Sequence, residues 1–180
     1  MFGSKIRRLV NQKDVDGLLP IALDQSARDR EAALKSAFEL LGDPPRESPD
    51  AAVVAEACRR LVKDDDPNLR GLAIGGLCVT RDPDAVPAAL SGLTDENGFV
   101  RSESLLAIGF LEAPGCVGPV AGLLHDEDPV VRGHAAATLA RLGDGTVLSQ
   151  LEARATIEDD RTALDLVRRA IDELSSEATG

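Results

Sequence analysis

The chain has 180 residues, 43% hydrophobic and 28% charged, with a net charge of −11. That is enough apolar material for one compact domain or a short array of repeats. Charges, Gly or Pro interrupt every apolar run well short of the ~20 residues of a membrane span. The acidic balance argues against a polyanion such as DNA as partner. With no Trp, no Tyr and four Phe, the chain lacks aromatic platforms for base stacking or cation cages.

Residues 1–13 hold Lys5, Arg7, Arg8 and Lys13 and no acid, which leaves residues 14–180 with 16 bases against 31 acids. The segment reads as a basic capping helix on an acidic body. Contact with an acidic partner or a membrane surface is the other reading. It has no apolar h-region of a secretory leader. Beyond it the chain repeats. Asp64-Asp65-Asp66-Pro67-Asn68-Leu69-Arg70, Asp95-Glu96-Asn97-Gly98-Phe99-Val100-Arg101 and Asp126-Glu127-Asp128-Pro129-Val130-Val131-Arg132 align, with arginines 31 residues apart. An earlier copy runs from Asp24 to Arg30, and the loop Gly42–Pro49 absorbs the extra length before the next. A degenerate last copy surrounds Glu158-Asp159-Asp160-Arg161, with Ala155 at the Asp position.

Each unit holds two helix patterns. The first, A, ends at the Asp-rich turn: Asp50–Lys63, Asp84–Thr94 and Cys116–His125, with Asp50 and Asp84 as N-cap signals. The second, B, starts near the Arg: Arg30–Leu41, Arg70–Thr80, Arg101–Glu112 and Arg132–Leu142. Apolar or small residues fall at +3, +4, +7 and usually +10 from the Arg, a helical period. Gly42 and Gly143 read as C-terminal caps. A last helix spans about Arg161–Leu174, and Ser175–Gly180 reads as a frayed tail. No segment reads as a strand. One hairpin of this kind cannot bury its apolar stripe alone, whereas stacked neighbours can. The expected boundaries are a cap at 1–13, repeats at 14–49, 50–83, 84–115 and 116–145, and a capping repeat at 146–180, together one domain over 1–180.

The stretch from Asp126 to Leu139 resembles a HEAT repeat, and more narrowly the short HEAT-like repeats named after phycobilisome bilin lyases: an Asp at the turn, Pro, Val-Arg, then an Ala-rich helix. The likeness covers residues 14–145 well and 146–180 loosely. It implies an all-α, right-handed α-solenoid of about five helix hairpins, of a class mostly regarded as protein-binding scaffolds. It also implies that the pairs Asp24/Arg30, Asp64/Arg70, Asp95/Arg101 and Asp126/Arg132 are structural. Independently, each Asp can accept from N–H groups at the start of helix B, while each Arg reaches an Asp of its own or the neighbouring unit, forming a ladder. Arg101→Ala should then cost more than Arg30→Ala, which lies nearer an end.

Catalytic patterns are absent. His125 and His134 sit on different helices without ligand spacing, and no phosphate loop or nucleophile elbow occurs. Ser36, Ser102 and Ser104 lie on helices without an evident His partner. Cys58, Cys78 and Cys116 have no CxxC spacing and read as core residues in a reducing cytoplasm. No cofactor, metal or enzymatic activity is expected.

What remains is the solvent side of the B helices, the concave face of such an array. Rotation of 100° per residue places Leu72, Glu103 and His134 at +2, Leu106 at +5, and Val79, Phe110 and Arg141 at +9. Gly75, Gly76 and Gly109 leave backbone approachable nearby. An apolar strip with a charged rim suits a protein segment. The expected function is a cytoplasmic, non-catalytic scaffold or adaptor, either monomeric or within a hetero-complex. The alternative is an accessory subunit of an enzyme, bilin-lyase-like or chaperone-like.

Overall fold

A computed structural model describes residues 2–42, 49–143 and 145–177. Those residues form eleven α-helices with short 3-10 turns and no strand. They are α1 Phe2–Gln12, α2 Val15–Leu23, α3 Arg30–Leu41, α4 Pro49–Leu61, α5 Pro67–Val79, α6 Ala85–Gly92, α7 Gly98–Leu111, α8 Val117–Gly122, α9 Pro129–Leu142, α10 Leu148–Ile157 and α11 Arg161–Glu177. After α1, α2 packs on α3, α4 on α5, α8 on α9 and α10 on α11 as A and B partners, and α6 and α7 hold the A and B places between them in chain order. The chain divides into two compact units, Met1–Ala85 and Val86–Gly180.

The core is aliphatic, as a composition without Trp or Tyr demands. B-helix positions +3, +4 and +7 from the Arg are buried in four repeats, from Ala33, Leu34 and Ala37 through to Ala135, Ala136 and Leu139. Position +10 (Leu40, Thr80, Leu111, Leu142) is only half-buried. α1 buries Ile6 and Leu9 and turns Lys5, Arg7 and Arg8 to solvent. Cys58, Cys78 and Cys116 are buried free thiols, and burial pushes Cys58 up to about 12.

The B helix α3 begins at Arg30 as expected, whereas α5, α7 and α9 start three residues earlier than the arginine alignment places them. Asp66, Asn97 and Asp128 are the N-caps of α5, α7 and α9, each accepting from the N–H two residues on. Pro67 and Pro129 then stand in the first turn, where their missing N–H costs nothing. Asp50 lies inside α4 and is no cap. α6 begins directly after Asp84, but in that turn it is Asp82 that accepts, from the Asp84 N–H at 3.0 Å. The expected loop at Gly42–Pro49 falls largely on residues 43–48, outside the described residues. Ser175 and Ser176 are helical rather than frayed, and 178–180 lie outside the described residues.

The B helices end on a repeated left-handed residue: Arg81 at φ 54°, Glu112 at φ 48° and Gly143 at φ 65°, spaced by 31. Only Gly143 is exempt from the Cβ penalty of that conformation. Glu112→Gly should therefore raise the unfolding free energy by about 1 kcal/mol, and Gly143→Ala should lower it by about as much. Urea titrations of both variants check the opposite signs.

Candidate partner-binding site

Arginine–carboxylate bonds join successive A–B turns within each unit. Arg101 donates through Nε and Nη2 to both oxygens of Asp126, at 2.8 and 2.7 Å. Its Nη1 donates to the carbonyls of Asp95 and Glu96 in its own turn. Arg132 repeats the pattern one unit on, with the Glu158 carboxylate at 2.8 and 2.6 Å and the carbonyls of Asp126 and Glu127 at 3.0 and 3.1 Å. In the first unit, Arg30 forks onto Asp64 and Arg70 reaches the carbonyls of Asp64 and Asp65. Each turn carboxylate also accepts from an N–H two residues on: Asp24 from Ser26, Asp64 from Asp66, Asp95 from Asn97 and Asp126 from Asp128. Arg101 and Arg132 thus bond their own turn through carbonyls and the next turn through the carboxylate, a bidentate geometry suited to guanidinium, while Arg30 adds a bond from Nε to Ala22 O.

Glu158 corrects the register of the last repeat. Its Oε1 accepts from the Asp160 N–H at 3.0 Å, the place an Asp takes elsewhere, and it lies 32 residues after Asp126. Ala155 and Arg161 are therefore not the last ladder pair. Leu164 occupies the Arg position, and its N–H bonds Asp160 O as that of Arg132 bonds Asp128 O. The hydrogen bond from Arg132 holds the Glu158 carboxyl at about 2, well below its ordinary value, against the opposing effect of burial. Arg154 Nε adds a contact at 3.0 Å. A second tie missed in the sequence is Arg59, which spans from Glu56 on its own helix to Asp82 beyond α5.

The two units carry separate parts of the B-helix face. In the first, α5 presents Val79 exposed and Leu72 half-buried. In the second, α7 presents Phe110 at 58% and Leu106 at 46% exposure. Glu103 and His134 are half-buried beside them, and Arg141 is exposed. Arg141 lies over α7, its Nε donating to Gly109 O at 3.2 Å, and Thr138 Oγ1 donates to Leu105 O at 3.0 Å. The backbone here is less approachable than expected. A Cβ on Gly109 would sit 3.5 Å from Arg141 Cδ and Thr138 Oγ1. One on Gly76 would collide with the Phe38 ring and Cys58 Sγ. Gly76 lets Phe38 and Cys58 close in, whereas a Cβ on Gly109 would make only ordinary van der Waals contact.

Ser102 does have a histidine partner, contrary to expectation. Its hydroxyl shares a hydrogen bond with His134 Nδ1, because the repeat spacing sets +1 of one B helix against +2 of the next. Burial pulls the His134 pKa below its ordinary value, opposed by Asp128. Ser102 is only 5% exposed, and the bond ties α7 to α9. Ser104 bonds back to Val100 O at 2.8 Å. No cluster of three or more potential metal-ligating side chains occurs among the described residues. No helix among them is long and apolar enough to cross a membrane.

The repeat geometry has known counterparts. The family model for HEAT repeats matches residues 54–117 and again 102–174. This chain belongs to the HEAT-repeat family. Among solved structures, an engineered protein superposes with a TM-score of 0.65 at 16% identity, over 95% of this chain and 83% of its own. YibA of Escherichia coli gives 0.61 at 22% identity, over 93% and 70%. A designed armadillo repeat protein gives 0.61 at 15%, over 94% and 85%. At these identities the likeness speaks for the fold, a helical repeat solenoid. No curated protein matches the sequence. Stacked repeats of this kind create extended surfaces of the sort used for binding.

Proposed function

We propose that this HEAT-repeat protein is a non-catalytic protein-interaction scaffold whose second unit binds a partner segment across α7 and α9. The exposed ring of Phe110 carries the reading. A solvated aromatic in a chain with four Phe, flanked by Leu106 and rimmed by Glu103, His134 and Arg141, has the make-up of an interface anchor. The B-helix residues of the first unit, Leu72 and Val79, form a lesser apolar patch on α5. A protein partner fits the absence of any accessible nucleophile in this patch. The pairing Ser102–His134 and the Arg141 bond to Gly109 hold the surface rigid, which lowers the entropy cost of binding.

The test is affinity capture with the whole chain as bait, comparing the native protein with Phe110→Ala. Loss of a stoichiometric partner, with an unchanged melting temperature, is the expected outcome. Truncating such an anchor typically costs ~2 kcal/mol or more of binding. The control Glu56→Gln, at an exposed position of α4, should retain the partner. A folded Phe110→Ala protein that captures the same partner equally would sink the proposal.

A further inference from the structure

The turns between A and B helices in the second unit form a surface that neither the ladder nor the B-helix face explains. Three equivalent windows, 94–101, 125–132 and 157–164, lie in successive repeats. Each carries one exposed large apolar side chain: Phe99 at 42% and Val130 at 57%, both four residues after the ladder acid in the first turn of the B helix, and Ile157 at 64%, one residue before its ladder acid at the end of α10. Each also carries an exposed carboxylate next to the ladder acid: Glu96, Glu127 and Asp159. Glu127 and Asp159 lean toward Arg101 and Arg132, at 3.8 and 3.4 Å, yet their side chains remain 88% and 92% exposed. Those arginines already fork onto Asp126 and Glu158, so the outer carboxylates are left largely to water.

The turns are held side by side. The ladder joins each to the next, and a Cβ on Gly98 would come within 2.6 Å of Asp128 Oδ2. In the first unit the corresponding turns, 24–30 and 64–70, contain no large exposed apolar residue. Charge follows the same division. The three windows hold eight acids against three arginines, and residues 86–180 hold sixteen acids against seven bases. A row of apolar knobs set in surplus negative charge selects a cationic, amphipathic partner.

Spacing narrows the partner further. Packed helices lie ~8–10 Å apart, which sets the step between neighbouring turns. Seven residues of an α-helix rise ~10.5 Å and return to the same face. We propose that this turn ridge docks a basic amphipathic helix. The helix runs across the repeats, with apolar residues at i and i+7 on Phe99 and Val130, a third two turns further on toward Ile157, and Lys or Arg beside them facing Glu96, Glu127 and Asp159. This surface is distinct from the α7/α9 face, and its test does not depend on that face having a ligand.

The probe is a lactam-stapled 16-residue helix with Leu at positions 1, 8 and 15 and Lys flanking each. It is titrated into the full-length ¹⁵N-labelled protein. Amide shifts should centre on the three windows, and affinity should fall as salt rises. Replacing the three Leu of the probe by Ser should weaken binding at least about tenfold, which separates docking from diffuse attraction to an acidic protein. The triple variant Glu96→Gln, Glu127→Gln, Asp159→Asn changes only exposed side chains and should also weaken binding about tenfold or more. Phe110→Ala should leave it unchanged. No saturable binding, shifts centred on Leu106 and Phe110 or on the first unit, or equal affinity for the Ser probe would each overturn the assignment.

Discussion

Arg132→Ala should destabilise the second unit by about 3 kcal/mol at pH 7, within the range for breaking a buried ion pair from one side. The side chain of Glu158 is 0% exposed and would keep only Arg154 as a cationic neighbour. That remaining contact sets the cost near the lower end. Two carbonyls, Asp126 O and Glu127 O, would also lose their donor. The pH dependence separates this ion pair from simple packing. Glu158 titrates at about 2 in the folded chain against 4.5 ordinarily. A depressed carboxylate contributes stability that is fully present above its unfolded value and disappears as pH falls through the folded one. The native protein should therefore lose stability between about pH 4.5 and pH 2. In the variant, burial without the Arg132 bond pushes Glu158 upward, and that acid-dependent loss should shrink or vanish. Urea unfolding at pH 7 and pH 3 measures both. Equal midpoints of native and variant protein at pH 7 would remove the ladder from the account of stability. Arg101→Ala should cost about 2–3 kcal/mol by the same argument. Arg30→Ala should cost as much, because Arg30 and Asp64, at 12% and 7% side-chain exposure, are as enclosed as Arg101 and Asp126 at 10% and 6%. Position along the array therefore gives no discount.

The 31-residue recurrence of Asp and Arg was enough to read repeat class, helix pairing and the buried positions of each B helix, because helical period and turn chemistry agree there. Boundaries were harder. Arg is the most conspicuous residue of each turn, but α5, α7 and α9 begin just after a capping Asp or Asn four residues before it, where a side-chain oxygen meets a free N–H. The last repeat was misaligned for a related reason. Its ladder acid is Glu, and its Arg position is Leu164, since no further turn follows for an Arg to hold. Counting 32 from Asp126 would have found Glu158. The Ser102–His134 bond needed three dimensions: the two residues are neighbours only because adjacent B helices are in register. The exposure of Phe99, Val130 and Ile157 was likewise hidden, because each lies in the first or last turn of its helix, where too few flanking helical residues define a face. Leu106 sits inside α7, where 100° per residue does assign a face.

Removal of residues 145–180 should unfold the second unit rather than shorten it. α10 and α11 contribute Val147, Leu151, Ala163, Val167, Ala170 and Leu174 to the core, all buried to 2% exposure or less. Burial of each larger aliphatic side chain is worth roughly 1.5–3 kcal/mol, so the loss approaches the 5–15 kcal/mol that typically separates a folded domain from its unfolded chain. The contact is close: a Cβ on Gly133 of α9 would meet Leu166 Cδ1 at 2.7 Å and Ala163 Cα at 3.4 Å. Without α11 that face of α9, aliphatic and glycine-smooth, would meet water, and Arg132 would lose the Glu158 carboxylate at the same time. A terminal unit in a repeat array shields the core of its neighbour, and the loss propagates inward. The truncated protein should show helical circular dichroism reduced by clearly more than the removed residues account for, and it should self-associate through the uncovered α9 face. Deletion of residues 178–180 alone should change neither. A truncated chain that keeps its per-residue ellipticity, melting temperature and monomeric state would show that α10 and α11 are an appendage, and that the second unit closes its core without them.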